Sequence, residues 1–469
     1  MPEISIPLIK GDRQSKLDYR DNLPVNMTAV IRSIKGDDGY LLTHDGLTSF
    51  AETNGVARGG TYNERFRKHF RVSGGLLESI NTDGSIDVIG DIAGSAICSF
   101  ANSFNTQAVL SNGRMWLYDD TTLTEILDND LGTPIDIDWF KGIYVLTDGE
   151  SLYQTDISDE YKISPLKFTS SEFAADPIKG VARNDQNQIL AFNRYSIEYF
   201  GFNPSADINA TVLQNIQGKA IKLGILGTHC KVEMNGVFFI LGGRREESPS
   251  VYALAGGQAV PVATREIDKL IAKYTEDELA DVVMEARVKD GDQFLIVHLP
   301  CETLIYNHSV GSKYGKDVAW SYVKTGVNTD GVWRGKFGVF DPRVSKWIYG
   351  DLLENKLGYL NDEIASQYDE NVEVICYTPI VPLKTRSILQ FEIDTIPGFQ
   401  SDIQSASFSM SYNGVTYGKE YFNSISVSDD YNKRYISRPL AYIRDSFSMK
   451  FRVVSKDKVA FSGLVIEHD

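Results

Sequence analysis

Four aspartates that lie close together in the sequence are the residues best suited to catalysis. They are Asp128, Asp130, Asp136 and Asp138. Two carboxylates at a suitable separation can hydrolyse a glycosidic bond. Acidic residues in the turns of an acidic protein are, however, mostly solvated. We therefore expect no enzyme, and keep a glycosidase or lectin acting on surface polysaccharide as the alternative function that these carboxylates would serve.

Other kinds of reactive site are missing from the sequence. The six histidines are never two or four residues apart, so no metal-ligand pair can be identified. No Gly-x-Gly-x-x-Gly loop follows a strand, and no Gly-x4-Gly-Lys-Ser/Thr sequence occurs, so no phosphate-binding loop is predicted. There is also no Gly-x-Ser-x-Gly elbow for a nucleophilic serine. We expect neither a cofactor nor a metal.

Basic residues are concentrated in two places, although the formal net charge of the chain is −16. The two groups are Arg58, Arg65, Arg67, Lys68 and Arg71, and Lys433, Arg434, Arg438, Arg444, Lys450, Arg452, Lys456 and Lys458. Lysine and arginine on solvated strand edges would explain both groups, because they discourage association between sheets. The other interpretation is contact with acidic surfaces of neighbouring proteins or, for the first group, with phosphate. We predict a protein interface at Arg58, Arg65, Arg67, Arg71, Arg434, Arg438 and Arg452.

Size and composition limit the remaining possibilities. The 469 residues exceed one ordinary hydrophobic core, so several domains or a repeat architecture are expected. The acidic balance argues against sequence-specific binding of duplex DNA. No run approaches about eighteen apolar residues, and the first ten residues are too short and polar for a secretory signal. The four cysteines are scattered in apolar, strand-like contexts. We therefore expect reduced cysteines in the core of a protein that is made in a cytoplasm.

The elements that position these residues are short antiparallel strands, and residues 227–264 show the pattern most clearly. Cys230, Val232 and Met234 alternate with charged residues, as in a half-buried strand. Asn235-Gly236 suits the two positive-φ positions of a type I′ hairpin turn, and an unbroken apolar run follows it. With Gly256-Gly257 as a second turn, the segment is predicted to form a four-stranded meander.

Similar turns recur along the chain at a spacing of roughly thirty to fifty-five residues, which is typical of four-stranded propeller blades. The turns are Asp83-Gly84, Asn112-Gly113, Asp148-Gly149, 184–187, Asn235-Gly236, Asp290-Gly291 and Asp341-Pro342. We predict an all-β protein: an extended arm at 1–65 with one strand at 40–43, a β-propeller of six or seven blades at 66–362, and a C-terminal β-sandwich at 363–469.

One helical insertion is predicted at residues 264–284. Ile267, Leu270 and Ile271 have the spacing of an apolar helical stripe. Thr275 and Glu278 fit a capping box that begins a second helix.

The chain also resembles a family, the packaged-DNA stabilisation proteins, or tail hubs, of short-tailed phages related to P22. The resemblance is carried by segments that run in order along the whole chain. They are LPVNM at 23–27, GVARGGTYN at 55–63, SIEYF at 196–200, PSVY at 249–252, GQA at 257–259, YTEDELADVVME at 274–285, HLP at 298–300, SQYD at 366–369 and KFRVV at 450–454.

The resemblance implies a structural role in a virion tail that is assembled in the cytoplasm of the host bacterium. Such proteins form a homohexamer below the portal and its adaptor (head-to-tail) protein, carry the tail needle, help to seat the tailspikes and retain packaged DNA. It implies no catalytic residues, no membrane contact, and DNA that passes through a channel without sequence-specific binding. We expect the channel wall to be acidic or neutral, since a basic wall would grip phosphate.

Overall fold

The computed structural model describes residues 2–9, 22–32, 39–207, 209–396, 403–423, 435–438 and 441–469. Within these ranges the chain is almost entirely β-structure. Four strands come before the first complete sheet: β1 (Glu3–Pro7), β2 (Met27–Val30), β3 (Tyr40–Thr43) and β4 (Gly46–Glu52). β3 confirms the strand predicted in the arm, but β1, β2 and β4 were not predicted.

Seven sheets follow along the chain, and we call them blades 1 to 7. Blade 1 contains β5 (Ala57–Asn63), β6 (Lys68–Ser73), β7 (Leu76–Ile80) and β8 (Ile86–Asp91). Blade 2 contains β9 (Ser99–Asn102), β10 (Gln107–Ser111), β11 (Arg114–Tyr118) and β12 (Leu123–Glu125). Blade 3 contains β13 (Asp136–Phe140), β14 (Ile143–Thr147), β15 (Ser151–Asp156) and β16 (Asp159–Ser170). Blade 4 contains β17 (Ile178–Arg183), β18 (Ile189–Asn193), β19 (Ile197–Phe202) and β20 (Leu213–Ile221).

The later blades have the same form. Blade 5 contains β21 (Gly224–Ile225), β22 (Lys231–Met234), β23 (Val237–Gly243), β24 (Ser250–Ala255) and β25 (Gln258–Pro261). Blade 6 contains β26 (Val283–Lys289), β27 (Asp292–His298), β28 (Thr303–Asn307) and β29 (Trp320–Val323). Blade 7 contains β30 (Gly335–Asp341), β31 (Lys346–Asp351), β32 (Lys356–Asn361) and, beside β32, the early strand β4.

Contacts between first strands show how blades are arranged. β5 contacts β9, β9 contacts β13, and β13 contacts β17, while β30 of blade 7 contacts β5 of blade 1. Apolar layers fill the space between neighbouring blades; for example, Ile80 of blade 1 packs with Ile348 and Leu357 of blade 7. Together with the outer position of β4, this is how a β-propeller removes its open edges. The predicted propeller is confirmed, with seven blades in the described residues.

The hairpin turns have the backbone that their residues favour. Asn235 and Gly236 have φ angles of 52° and 81°, and Asn112 and Gly113 have 51° and 71°. A positive φ at both central positions gives the turn the twist of the flanking strands. The four-stranded meander predicted at residues 227–264 is present as β22 to β25.

In the described ranges three short α-helices interrupt the strands: α1 (Arg265–Ile271), α2 (Glu276–Ala280) and α3 (His308–Tyr314). The Thr275 side chain accepts from the backbone N–H of Glu278, whose carboxylate accepts from Thr275, so the predicted capping box is confirmed. α3 was not predicted, because Val310 is its only buried side chain and no apolar stripe exists.

The C-terminal strands form two further sheets. They are β33 (Val372–Tyr377), β34 (Val381–Pro382), β35 (Arg386–Thr395), β36 (Ile403–Ser411), β37 (Tyr421–Asn423), β38 (Tyr435–Ser437), β39 (Ala441–Ile443), β40 (Ser446–Ser455) and β41 (Ala460–His468). One sheet has the order β33-β40-β36-β37, with β34 beside β40. The other has the order β2-β3-β41-β35-β38, with β1 beside β41 and β39 beside β35.

Aromatic rings connect these two sheets into a sandwich. Phe391 of β35 lies 4.4 Å, between ring centroids, from Phe408 of β36. Phe451 of β40 lies 5.1 Å from Phe461 of β41. The predicted sandwich is confirmed.

The segment predicted as an arm is distributed differently in the structure. β1, β2 and β3 belong to a sheet of the sandwich, β4 completes blade 7, and β5 is the first strand of blade 1. A boundary at residue 65 therefore falls between two paired strands. Strand pairing across hundreds of residues leaves no local signal, which is why the sequence pattern suggested an arm.

Contact density divides the chain into two compact units. One consists of residues 1–48, 287–334 and 360–469, and the other of residues 49–286 and 335–359.

Candidate protein-interaction site

Arg58, a predicted interface residue on β5, is buried and bound within its own chain. Its Nε donates to the carbonyl oxygen of Ala96 at 2.8 Å, and Nη1 donates to those of Gly74 at 2.8 Å and Ile92 at 3.2 Å. Nη2 donates to the Ser111 hydroxyl of blade 2. The guanidinium thus bonds to backbone carbonyls on the blade 1 side and to a hydroxyl of blade 2, so it holds the two blades together.

Arg71 on β6 is fully buried, and it lies where blade 1 meets blade 7. Its Nη2 donates to the carbonyl oxygen of Ile348 in blade 7, and its Nε donates to Nε2 of His69 at 3.1 Å. Nδ1 of His69 lies 3.4 Å from a carboxylate oxygen of Asp341. Burial, with a smaller contribution from Arg71, lowers the pKa of His69 to about 4.

Arg452 on β40 also has its partners inside its own chain. Its Nε donates to a carboxylate oxygen of Glu373, and its Nη2 donates to Oδ1 of Asn328 at 2.6 Å. Nζ of Lys324 lies 2.5 Å from the other Glu373 oxygen. Burial alone would raise the pKa of Glu373, but Lys324 and Arg452 outweigh it and lower that pKa.

Arg58, Arg71 and Arg452 are therefore corrections to the predicted interface. All three are at most 7 % exposed, so they cannot reach a neighbouring protein in this structure. These arginines do have polar partners, as their charge suggests, but the partners belong to the same chain and not to a neighbouring protein. A cluster of arginines in sequence does not show which of them face inward, because alternate residues of a strand point to opposite faces.

Three of the predicted interface arginines are exposed. Arg65 and Arg67 lie in the turn between β5 and β6, where Asn63 Oδ1 accepts from the backbone N–H of Arg65 at 2.9 Å. Arg438 follows β38 and donates from Nε to Oε1 of Gln390 at 2.9 Å. Arg434 lies outside the described residues. For Arg65, Arg67, Arg434 and Arg438 the interface stays a prediction.

Sequence reasoning missed a buried charge cluster around Asp45. Nζ of Lys289 lies 2.9 Å from both carboxylate oxygens of Asp45, Nζ of Lys458 also donates to it, and Nη1 of Arg287 lies 3.8 Å away. Burial acts to raise the pKa of Asp45, but Arg287, Lys458 and Lys289 together hold it well below its usual range. The contributing segments are up to 413 residues apart, so no spacing signal could have revealed the cluster.

The neighbouring His44 is neutral at ordinary pH. Burial, followed in size by the charge of Arg287, lowers the pKa of His44 to about 3. Its ring makes an edge contact with Trp333, with 5.4 Å between ring centroids.

Two of the four candidate catalytic aspartates fasten neighbouring blades together. Oδ2 of Asp136 accepts from the backbone N–H of Val181 at 2.8 Å and from Lys231 Nζ at 2.7 Å. Oδ2 of Asp138 accepts from the backbone N–H of Arg183 at 2.6 Å. Burial raises the pKa of Asp138, although the hydrogen bonds that its carboxylate accepts from the backbone of Arg183 and Trp139 oppose the rise.

The other two aspartates form a turn. Oδ1 of Asp128 accepts from the backbone N–H of Asp130 at 3.0 Å, and Oδ2 accepts from that of Ile163 at 3.3 Å. Asp130 is exposed. Three of the four carboxylates thus accept from backbone N–H groups or a lysine, the fourth is exposed, and the alternative of a glycosidase is not supported.

The described ranges hold no group of three or more His, Cys, Asp or Glu side chains placed to bind a metal ion. No described helix is long and apolar enough to cross a membrane. Three of the cysteines are buried as expected, but Cys301 is exposed in the turn between β27 and β28.

Two family models match the chain, and between them they cover almost all of it. One, described as "Bacteriophage P22 Gp10, beta-propeller", matches residues 4–365. The other, described as "Bacteriophage P22 Gp10, beta-sandwich", matches residues 373–469. The chain belongs to the bacteriophage P22 Gp10 family. The tail hub protein gp10 of Salmonella phage P22 is 31% identical over 483 aligned positions, which cover 99% of both chains.

Solved structures resemble this Gp10-family chain much more loosely. Virginiamycin B lyase from Staphylococcus aureus aligns with a TM-score of 0.44 at 11% identity, covering 69% of this chain and 99% of the lyase. The Neurospora crassa Pan2 WD40 domain aligns with a TM-score of 0.42 at 11% identity, covering 67% of this chain and 94% of that domain. Scores this low carry no information about function.

Proposed function

We propose that this Gp10-family chain is the structural tail hub of a short-tailed phage. The observation that carries the proposal is the full-length match to the tail hub protein of Salmonella phage P22, which includes both the propeller and the sandwich. A shared fold alone would not support it, because propellers serve many unrelated functions. The role is structural rather than catalytic, and it places the chain in the virion tail after assembly in the host cytoplasm.

The finer parts of the proposal concern partners. Six copies form a ring, as the family resemblance implies. The contacts are heterologous, since a head-to-tail interface with sixfold rotation closes on itself. The ring docks below the portal and its adaptor protein, carries the tail needle, helps to seat the tailspikes and retains the packaged DNA. DNA passes through without sequence-specific binding, which the net charge of −16 supports.

The exposed arginines are the proposed interface residues. Arg65, Arg67 and Arg438 carry positive charge on the surface of an acidic chain, and we assign Arg434 to the same group. Rim charges of this kind steer association and fix its register, and their effect weakens as salt rises.

The test is the mass of the assembly. The purified chain is measured by native mass spectrometry and sedimentation velocity, first alone and then with purified portal–adaptor complexes of its own phage. We expect a monomer alone and six copies on each complex. Two, three or five copies on each complex would contradict the hexamer, and no association at all would contradict the hub.

A further inference from the structure

A pocket of about 450 Å³ lies beside the Asp45 cluster, and all its described lining residues belong to a single compact unit. We call it the Arg287 pocket. Its charged wall and its apolar wall include Asp45, Arg287, Lys289, Val30, Leu42 and Phe294. A cavity with apolar walls and a few convergent polar groups is the usual form of a binding site.

Arg287 is the residue that makes this pocket unusual. Its side chain is 2 % exposed, and among the described residues its Nε and Nη1 have no hydrogen-bond partner. Its nearest carboxylate, that of Asp45, is 3.8 Å from Nη1, which is too far for a hydrogen bond. Buried donors without an acceptor are costly, so a guanidinium in this state favours any acceptor that enters the pocket.

The missing acceptor of Arg287 points to an anionic ligand, because the nearest carboxylate is already bound by two lysines. Asp45 is shared by three cations, since Lys289 and Lys458 already donate to it. The ring of Phe294 lies 4.8 Å, at its centroid, from the Arg287 guanidinium. A guanidinium that rests on a ring presents its N–H groups at its edge, in the fork geometry that matches a carboxylate.

The rim of the pocket limits which anion fits. Asp290 and Asp292 also line it. Their negative charges oppose a phosphate dianion or a DNA backbone more strongly than a singly charged carboxylate. Val30, Leu42 and Phe294 suit the methylene groups of a glutamate side chain and an apolar neighbour.

We propose that the Arg287 pocket binds a glutamate side chain of another protein, held by the free edge of the Arg287 guanidinium. That this protein is another virion component rests on the proposed hub function, whereas the chemistry of the pocket does not. The two are tested separately, because a peptide titration of the isolated chain needs no other virion protein.

The experiment titrates the full chain with two capped tripeptides, Leu-Glu-Leu and Leu-Gln-Leu, and follows the peptide by saturation-transfer NMR. We expect the glutamate peptide to bind about tenfold more tightly than its neutral isostere, because a charge-assisted pair is lost in the isostere. Inorganic phosphate is the third probe and is expected to bind more weakly than the glutamate peptide. Equal binding of the two peptides, or tighter binding of phosphate, would overturn the proposal.

Variants then locate the site. Arg287→Lys keeps the charge but removes the fork, and Arg287→Met removes both, so affinity for the glutamate peptide should fall about tenfold in each. Arg114→Met is the matched control, because Arg114 is exposed and lies 3.5 Å from Glu125, far from the pocket in sequence. Unchanged peptide affinity in a folded Arg287→Lys protein would refute the site, and the wild-type comparison of the two peptides stands even where a variant fails to fold.

Discussion

Nη2 of Arg343 in blade 7 donates a hydrogen bond of 2.6 Å to the carbonyl oxygen of Ile80 in blade 1, across 263 residues of sequence. The same guanidinium makes two hydrogen bonds to Asp341, at 3.0 and 2.7 Å. The hydrogen bond from Arg343 to Ile80 fastens blade 7 to blade 1. Arg343→Met should lower the free energy of unfolding by about 1–3 kcal/mol, because carbonyl oxygens and a carboxylate lose a charged donor. Urea denaturation measures it, and a loss no larger than that of Arg114→Met would contradict this role.

The pH dependence of stability should report His69. Its pKa is about 4 in the folded protein and near 6.5 when unfolded, so the unfolded chain binds the proton first as the pH falls. Stability is lost between these two values, by about 2 kcal/mol from pH 7 to pH 5 for this group. His69→Asn should remove that part of the pH dependence. Thermal unfolding of both proteins at several pH values is the measurement, and parallel curves would show that His69 is not responsible.

Asp136 is buried and Asp130 is exposed, so substitutions of these two aspartates can be compared directly. Asp136→Asn should destabilise the protein by about 2–4 kcal/mol, because Lys231 would be left largely buried without its carboxylate. Asp130→Asn should change the free energy of unfolding by less than about 0.5 kcal/mol, since its side chain is exposed. Chemical denaturation of the two variants gives both free energies of unfolding. Equal effects would contradict a structural role for Asp136.

The turn glycine of blade 5 should be hard to replace. Gly236 has a φ of 81°, and an added Cβ would lie 3.0 Å from a carboxylate oxygen of Asp185. Gly236→Ala is therefore expected to cost about 1–2 kcal/mol of stability. Gly75→Ala is the control, because an added Cβ there meets nothing within 4 Å. A thermal shift in Gly236→Ala that is no larger than in Gly75→Ala would show that the turn tolerates a side chain.

Reversal of the exposed arginines should weaken assembly without harming the fold. A chain that carries Arg65→Glu, Arg67→Glu and Arg438→Glu should bind the portal–adaptor complex more weakly. The loss of binding should be largest at low salt, because salt screens electrostatic contacts. Arg452→Glu should instead fail to fold, because it places a second carboxylate against Glu373. Normal assembly of the folded triple variant at low salt would remove these residues from the interface.

Local patterns predicted the local structure well. Asn235-Gly236 specified its turn, and Thr275 with Glu278 specified the start of α2. These features depend on residues within about four positions of one another, which is the range over which side chains choose backbone conformation. The resemblance of the ordered segments predicted the family, which no periodicity could have done.

Distant pairings were beyond the sequence. Nothing near Gly46–Glu52 indicates that β4 joins β32, and nothing near Arg58 or Arg452 indicates a buried partner. The Arg287 pocket has the same origin, since Asp45 and Lys289 meet only in the folded chain. Burial decides whether an arginine is a surface charge or an internal tie, and burial follows from long-range topology.

The pairing of β1 with β41 has a consequence for synthesis on the ribosome. Glu3 lies opposite Glu467 in that ladder, so the strand made first has no partner until almost the whole chain has been translated. β4 must likewise wait for β32. A prematurely terminated product would therefore display unpaired strand edges, which mark a chain for aggregation or proteolysis. The topology thus ties the burial of both early edges to strands made much later, so a chain that stops before β41 leaves β1 without its partner.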